Sequence, residues 1–328
     1  MPKRITSKDL AKLAGVSSAT VSRAFSAESR ISGATRERIR SMAQEHGYQP
    51  NAIARSLNMR RSGLVALVVN AIQNQSEAEQ LQDLVQRLQE RELLPIVLCC
   101  GAHEDRLQLM RLASTYQVDH VVVFSDMISL EDAVKIFHTA RPIIVSTQPL
   151  QDDSVSHVNV EGGKAAAEIV DKAVRDGRRH FAYLTGRKSS WIDKVRRAWF
   201  ADALKEHDLA FEVEGHGDYT YDSGLKEAVV MLRRSAVDAV ICGNDVMAIG
   251  VRDAATHLLG RKVPENLAVV GQDGISMAAW ECHNLTTLAL DQAAYIGAIV
   301  KMIEAEQAED HKTSVVTIQC RVRWGATC

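Results

Sequence analysis

Apolar positions in the first quarter of the chain recur at helical spacing, and the period changes beyond residue 63. Leu10, Ala11, Leu13 and Ala14 share one face of a short helix, and Val16 and Val21 close a core behind them. Gly15 stands where a helix C-terminus needs a residue free to take positive φ. Ser17 is placed to cap a second helix whose outward positions are Ser18, Ala19, Ser22 and Arg23. A third helix begins at Ile31-Ser32-Gly33-Ala34-Thr35, turns Ile39 and Met42 to the core, and ends at His46-Gly47-Tyr48. The pattern predicts a helix-turn-helix. Short hydrogen-bonding side chains at the start of its second helix suit close approach to base edges in a major groove. Residues 50–57 add one or two helical turns, too short to be stable alone in water.

From residue 64 the apolar runs become continuous rather than stripe-like. They cover residues 64–69, 95–98, 120–124, 143–145, 181–184, 239–242 and 267–270, with helical patterns between them such as 77–92, 162–175, 194–207 and 245–259. Unbroken apolar runs suit parallel strands buried on both faces, and the alternation predicts βαβ units in doubly wound sheets. About 265 residues is long for one such sheet, and the strands fall into two groups. The expected architecture is an all-α helix-turn-helix headpiece plus an α/β two-lobed body. Residues 1–49 form the headpiece, 50–62 a short helical segment and linker, and 63–328 the two-lobed body. Lobe 1 is expected over about 63–160 plus 291–328, and lobe 2 over about 161–290. Open α/β sheets bind ligands outside the carboxyl ends of their strands, so the cleft between lobes is the expected effector site.

Charge divides the chain at the same place. Residues 1–62 carry twelve Lys and Arg against four Asp and Glu, a balance of +8, while the whole chain is at −2. The remainder therefore stands at about −10, and a basic head on an acidic body fits a polyanion-binding module joined to something else. A solvated helical surface that happens to be basic is the plainer alternative.

The motifs together carry a resemblance. Asp9-Leu10-Ala11, Ala14-Gly15-Val16-Ser17, Thr20-Val21-Ser22-Arg23, Thr35-Arg36-Glu37-Arg38, Gly47-Tyr48 and Pro50-Asn51-Ala52-Ile53-Ala54-Arg55-Ser56-Leu57 resemble, in order, the headpiece and hinge of the lactose-repressor/purine-repressor (LacI/GalR-type) family of bacterial transcriptional regulators. In the body, Glu161-Gly162-Gly163-Lys164, Asn244-Asp245-Val246-Met247-Ala248-Ile249-Gly250, Val263-Pro264-Glu265, Val269-Val270-Gly271-Gln272-Asp273 and Leu285-Thr286-Thr287 are similar to its effector domain, which has the type I periplasmic-binding-protein fold. The resemblance implies that residues 50–62 are a hinge helix and linker, and 63–328 the effector-binding and dimerisation domain. It also implies that Ser18 and Ala19 face bases, while Thr6, Ser17, Ser22, Arg23 and Asn51 hold phosphate or backbone. Thr20 and Arg30 join that DNA-binding surface. Ala54 and Leu57 would lie on a hinge helix in the minor groove, with the leucine wedged between central base pairs.

The same resemblance implies effector contacts at Arg196, Tyr219, Asn244 and Asp273, to which Ser76 and Gln148 are added from the first lobe. An Arg fork, an amide and a carboxylate around an aromatic plate suit a polyhydroxylated molecule such as a sugar, polyol or sugar acid. Turn formation or helix capping explains Asn244 and Asp273 equally well, because both follow strands, and core packing is an alternative for Tyr219. Departures from the family pattern fall at Ala71-Ile72-Gln73-Asn74-Gln75-Ser76-Glu77, at Thr147-Gln148-Pro149, at Trp199 where the family has glycine, and at Gly274. The first lobe therefore brings its own chemistry. Arg187 and Lys188 offer positive charge for an acidic effector, or simply a solvated loop.

Other chemistries are poorly represented. The six cysteines form no CxxC pair, His103-Glu104 lacks a second His, and no GxSxG elbow, dinucleotide GxGxxG or P-loop occurs. The expectation is a non-enzyme with no cofactor and no metal. No apolar leader and no 18-residue apolar run is present, which reads as a cytoplasmic, nucleoid-associated protein with no membrane partner. A sugar-modifying enzyme or binding protein with a basic arm leaves the headpiece unexplained. The reading is a repressor acting as a homodimer on a pseudo-palindromic operator. Residues 324–328 show no heptad, which favours a dimer over a coiled-coil tetramer.

Overall fold

The computed structural model describes residues 5–25, 31–49, 61–69, 72, 74–100, 106–124, 130–137, 142–146, 155–187, 190–306 and 313–328. They divide into two units, Met1–Gly63 and Leu64–Cys328.

In the first unit, α1 (Ser7–Ala14) starts at a capping box in which Thr6 and Asp9 satisfy each other's backbone N–H, and ends at Gly15 with φ 61°. Helix α2 (Ser18–Ala24) starts at Ser17, whose hydroxyl accepts from Thr20 N–H, and α3 (Gly33–Glu45) starts at Ser32 in the same way. The core between the three is Leu10, Ala11, Ala14, Val21, Ala24, Ile39 and Ala43, edged by Val16, Ile31 and Met42. Leu13 departs from the expectation and is 51% exposed. At about 100° per residue, Leu10, Ala14 and Ala11 span one continuous arc and Leu13 falls off its edge. Arg38 donates to the Ala14 carbonyl at 3.1 Å and Arg40 to the Ala24 carbonyl at 3.1 Å, so α3 caps the C-termini of both preceding helices.

The second unit is two doubly wound sheets of six strands each. The first has strands β1 (Leu64–Val69), β2 (Leu94–Cys99), β3 (His120–Val123), β4 (Pro142–Ser146), β5 (Ser156–Glu161) and β11 (Val315–Gln319), all parallel, in the order β11-β5-β4-β3-β1-β2. Val65, Leu67, Val122 and Ile143 face α4 (Gln75–Gln89) and α11 (Gln292–Glu306). Ala66, Val68, Val121 and Ile144 face α5 (Arg106–Ser114) and α6 (Leu130–Ile136) on the other side. Burial on both faces is why these strands are apolar throughout.

The second sheet has β6 (Phe181–Thr185), β7 (Phe211–His216), β8 (Ala239–Cys242), β9 (Ala268–Asp273), β10 (Thr286–Ala289) and β12 (Arg321–Arg323), ordered β12-β10-β9-β8-β6-β7. Its faces are covered by α7 (Gly163–Arg175) with α8 (Trp191–Lys205), and by α9 (Tyr221–Arg234) with α10 (Asp245–Asp253). The helix expected over 245–259 turns into a π-helical segment at Ala254–Leu258. Strand β12 pairs antiparallel with β10, and Thr327 accepts from Val269 N–H. The last residues of the chain therefore belong to the second sheet, not to lobe 1 as expected for the whole of 291–328. Among the described residues the chain crosses between sheets three times, after β5, after β10 and at Cys320 between β11 and β12.

Candidate functional site

On the first unit, α2 turns Val21 and Ala24 inward and leaves Ser17, Ser18, Ala19, Ser22 and Arg23 exposed, with Thr20 half-buried. The Ser17 and Thr20 hydroxyls lie 2.9 Å apart, and Thr6 is exposed at the start of α1. The result is an exposed strip of small side chains with one guanidinium at its C-terminal end. Arg30, Asn51, Ala54 and Leu57 lie outside the described residues.

In the second unit a cavity of about 200 Å³ opens at the carboxyl ends of the strands of both sheets. Its second-lobe wall centres on Arg196 of α8, whose Nη2 lies 2.7 Å from Asp273 Oδ1 at the end of β9. Arg196 also donates to the Gly243 carbonyl at 3.1 Å. Burial disfavours the charge on Arg196, but Asp273, joined by Tyr219 and Cys320, holds the guanidinium above its usual pKa. Burial raises the Asp273 carboxyl, and Arg196 pulls it back. Asp193, one turn before Arg196, is buried, accepts from Tyr183 Oη at 3.4 Å and is raised chiefly by desolvation.

Tyr219 also lines the cavity. Its ring lies where a Cβ on Gly186 would stand, 2.0 Å away, so only glycine leaves room for it there. Two cavity residues, Tyr219 at φ 73° and Asp273 at φ 117°, hold backbone conformations unfavourable for L side chains. Strain of this kind costs on the order of 1–3 kcal/mol per residue and concentrates at ligand-binding sites. The first-lobe wall comes from Asn74, Ser76, Glu77 and Gln80 at the start of α4, with Phe124 and Tyr295 behind. Gln80 donates to Ser76 Oγ at 3.0 Å, and Tyr295 meets Phe124 at 6.4 Å between ring centres. Above the cavity Glu79 of α4 reaches across to the second lobe, where Ser276 N–H and Oγ donate to its carboxylate.

Two family models match the chain. "Bacterial regulatory proteins, lacI family" covers residues 6–51 and "Periplasmic binding protein-like domain" covers 170–328. The chain thus joins a lacI-family helix-turn-helix domain to a periplasmic-binding-protein-like domain. It is 29% identical over 302 residues to the HTH-type transcriptional regulator AscG of Escherichia coli, covering 90% of each chain. It is 26% identical over 330 residues to catabolite control protein A of Priestia megaterium, covering 98% of each. The lac repressor dimer bound to operator and the anti-inducer ONPF shares the fold at a TM-score of 0.86, 22% identity and 99% of both chains. The CelR–cellobiose complex shares it at 0.72, 23% identity, and 99% and 100% of the two chains.

The chain is thus a DNA-binding transcriptional regulator, and the relatives it matches are regulators rather than enzymes. Its body brings Ser76, Arg196, Tyr219, Asn244 and Asp273 to one cavity, while Gln148 and Lys188 lie outside the described residues. Arg187 lines the cavity rim. Asn244 is 2% exposed and caps α10, its Oδ1 accepting from Met247 N–H at 2.9 Å and its Nδ2 donating to the Tyr219 carbonyl at 3.1 Å. Capping, one of its two sequence readings, therefore describes its hydrogen bonds. Asp273 takes no capping role and pairs with Arg196. The turn role falls to Asp245, whose Oδ2 accepts from Gly274 and Ile275 N–H at 2.8 and 2.9 Å. Sequence reasoning passed over Gln80, Asp193, Asp245, Tyr295 and Cys320. Only the helix start after β1, with Asn74 as its cap, was a local signal for the first of these. Among the described residues no group of His, Cys, Asp and Glu is arranged to hold a metal, and no helix is long and apolar enough to cross a membrane.

Proposed function

We propose that this regulator is a repressor that binds a pseudo-palindromic operator as a homodimer, and that a small polyhydroxylated effector in the interlobe cavity sets its operator affinity. The observation that carries the effector reading is the half-buried Arg196–Asp273 pair at the junction of both sheets' carboxyl ends. A fork of donors beside a carboxylate acceptor, facing the amides and hydroxyls of Asn74, Ser76 and Gln80, matches vicinal hydroxyls. Cavity charge is nearly balanced, with Arg187 and Arg196 against Glu77, Asp218 and Asp273, which suits a neutral sugar, a polyol or a sugar acid. The cellobiose complex of a regulator with this fold supports the same class.

On the DNA side, the exposed strip of Ser17, Ser18, Ala19, Ser22 and Arg23 supports base and phosphate contacts, with Thr6 and Thr20 beside it. Residues 1–49 act as headpiece, 50–62 as hinge with Asn51, Ala54 and Leu57 ordered on DNA, and the remainder as effector and dimerisation domain. Two-fold symmetry in such proteins matches two half-sites. The site of action is the cytoplasm, on DNA.

A thermal-shift screen of sugars, polyols and sugar acids on the full chain tests the effector reading, because a ligand of the folded state raises the melting temperature. Asp273→Ala is expected to lose the response while keeping operator binding. A variant that responds at the parent's effector concentration removes the pair from the site.

A further inference from the structure

Trp199 stands three residues after Arg196 on α8, so both side chains leave the helix on the same side. Both line the cavity. Atoms Cε3 and Cζ3 of the indole lie 2.7 Å from where a Cβ on Gly162 would stand, and Leu288 Cδ1 lies 3.3 Å from the same point. Gly162 follows β5 at the first crossing between sheets, so the ring rests directly on crossover backbone. Any side chain at 162 would expel it. Its other side packs on the second-lobe core that contains Phe200, Leu204 and Leu288. Held between backbone and core, the indole is a fixed wall rather than a side chain free to swing aside.

The remaining space is small. About 200 Å³ lies below the roughly 300–1,000 Å³ of sites for drug-sized ligands. It suits one pyranose ring or an open-chain hexitol, and a second ring would have to occupy the volume of the indole. The wall also offers an apolar face opposite the polar start of α4, so a ring with one C–H face and one hydroxyl face is complemented on both sides.

We propose that Trp199 is the specificity-determining residue of this cavity: it restricts the effector to a single-ring or open-chain polyhydroxylated molecule, and its removal admits a two-ring one. The proposal rests on the polyhydroxylated-effector reading given above. The experiment measures melting-temperature shifts and calorimetric affinities of the full chain and of Trp199→Ala. One panel holds glucose, galactose, mannitol and gluconate, and the other cellobiose, maltose and lactose. The parent is expected to respond to a member of the first panel and to none of the second. Trp199→Ala is expected to lose at least tenfold in that affinity and to gain a response to a disaccharide. Trp199→Phe keeps an aromatic wall, so it should retain the parent's preference, while the effector-linked change in tryptophan fluorescence disappears. It serves as the informative variant if the alanine protein does not fold.

A parent that binds a disaccharide overturns the proposal. So does a Trp199→Ala protein with an unchanged ligand range, or a Trp199→Phe protein whose fluorescence still follows binding as in the parent. Silence of the parent and of Trp199→Ala toward both panels overturns the effector reading itself, and the proposal with it.

Discussion

Asp245 holds the turn that follows β9 from one side, accepting the Gly274 and Ile275 N–H groups, while Arg323 donates to the Gly274 and Ile275 carbonyls at 3.2 and 3.1 Å from the other. Full burial pushes its carboxyl up to about 7, with Asp273 adding to the rise and Thr287, the Ile275 amide and Arg323 opposing it. An unfolded chain releases that proton near pH 3.9. Between these values the folded state holds a proton that the unfolded state has lost, so this group makes stability fall as pH rises from about 4 to about 7, by at most about 1.4 kcal/mol per pH unit. Asp245→Asn mimics the protonated form and removes the titration. Its melting temperature should therefore gain on the parent's between pH 5 and pH 8. Parallel melting curves for the two proteins across that range would place the proton elsewhere. None of this was legible in the sequence, where Asn244 and Asp245 are adjacent residues after a strand, each suited to capping. The partners that separate their roles are the Tyr219 carbonyl for one and a turn about thirty residues away for the other, and spacing along the chain does not report contacts of that range. Arg196 and Asp273, by contrast, were legible through motif resemblance, and the structure joins them in one pair.

At the scale of elements, the interior strands announced themselves because both faces are buried. Leu64–Val69 and Ala239–Cys242 are apolar from end to end. Strands Phe211–His216, Val315–Gln319 and Arg321–Arg323 did not, because they are sheet edges where one face or one ladder meets water and polar residues alternate. Ser156–Glu161 and Thr286–Ala289 were hidden by serine, histidine, asparagine and threonine placed where the chain nears its crossings between lobes. In the headpiece the caps at Thr6, Ser17 and Ser32 and the stop at Gly15 were readable from local chemistry alone. The charge count was less faithful, since Arg38 and Arg40 serve helix C-termini rather than a binding face. For α2 the exposed pattern separates two kinds of contact. Arg23→Ala should weaken binding to every DNA sequence alike and reduce the salt slope by about one unit. Ser18 substitutions should instead change which half-site is preferred, because base edges rather than phosphates carry sequence. A half-site selection experiment that returns the parent's sequence from Ser18 variants would show that another face of α2 meets the groove.

For the whole molecule, the open question is how a small headpiece attains operator affinity, and the answer proposed here is pairing of two copies. Strand β2 ends the first sheet, so one side of its backbone ladder has no neighbouring strand among the described elements, and Leu94 and Val97 on it are 56% and 36% exposed. On α5, Leu112 and Tyr116 just beyond it are 57% and 59% exposed. A long apolar sheet edge is an aggregation liability that proteins cover, and a second copy of this chain is the cover that a two-fold operator requires. Leu94→Glu puts a charge on that surface, where burial without a partner is costly. The expected result is a monomer in sedimentation at micromolar concentration, with operator affinity reduced at least a hundredfold, because the second half-site is no longer delivered at high effective concentration. Effector-induced thermal stabilisation should persist, since the cavity is built within one chain from Arg196, Asp273 and the start of α4. A Leu94→Glu protein that sediments as a dimer would exclude the β2 edge as the contact, and loss of the effector response together with the dimer would mean that the cavity needs the second copy to hold its shape.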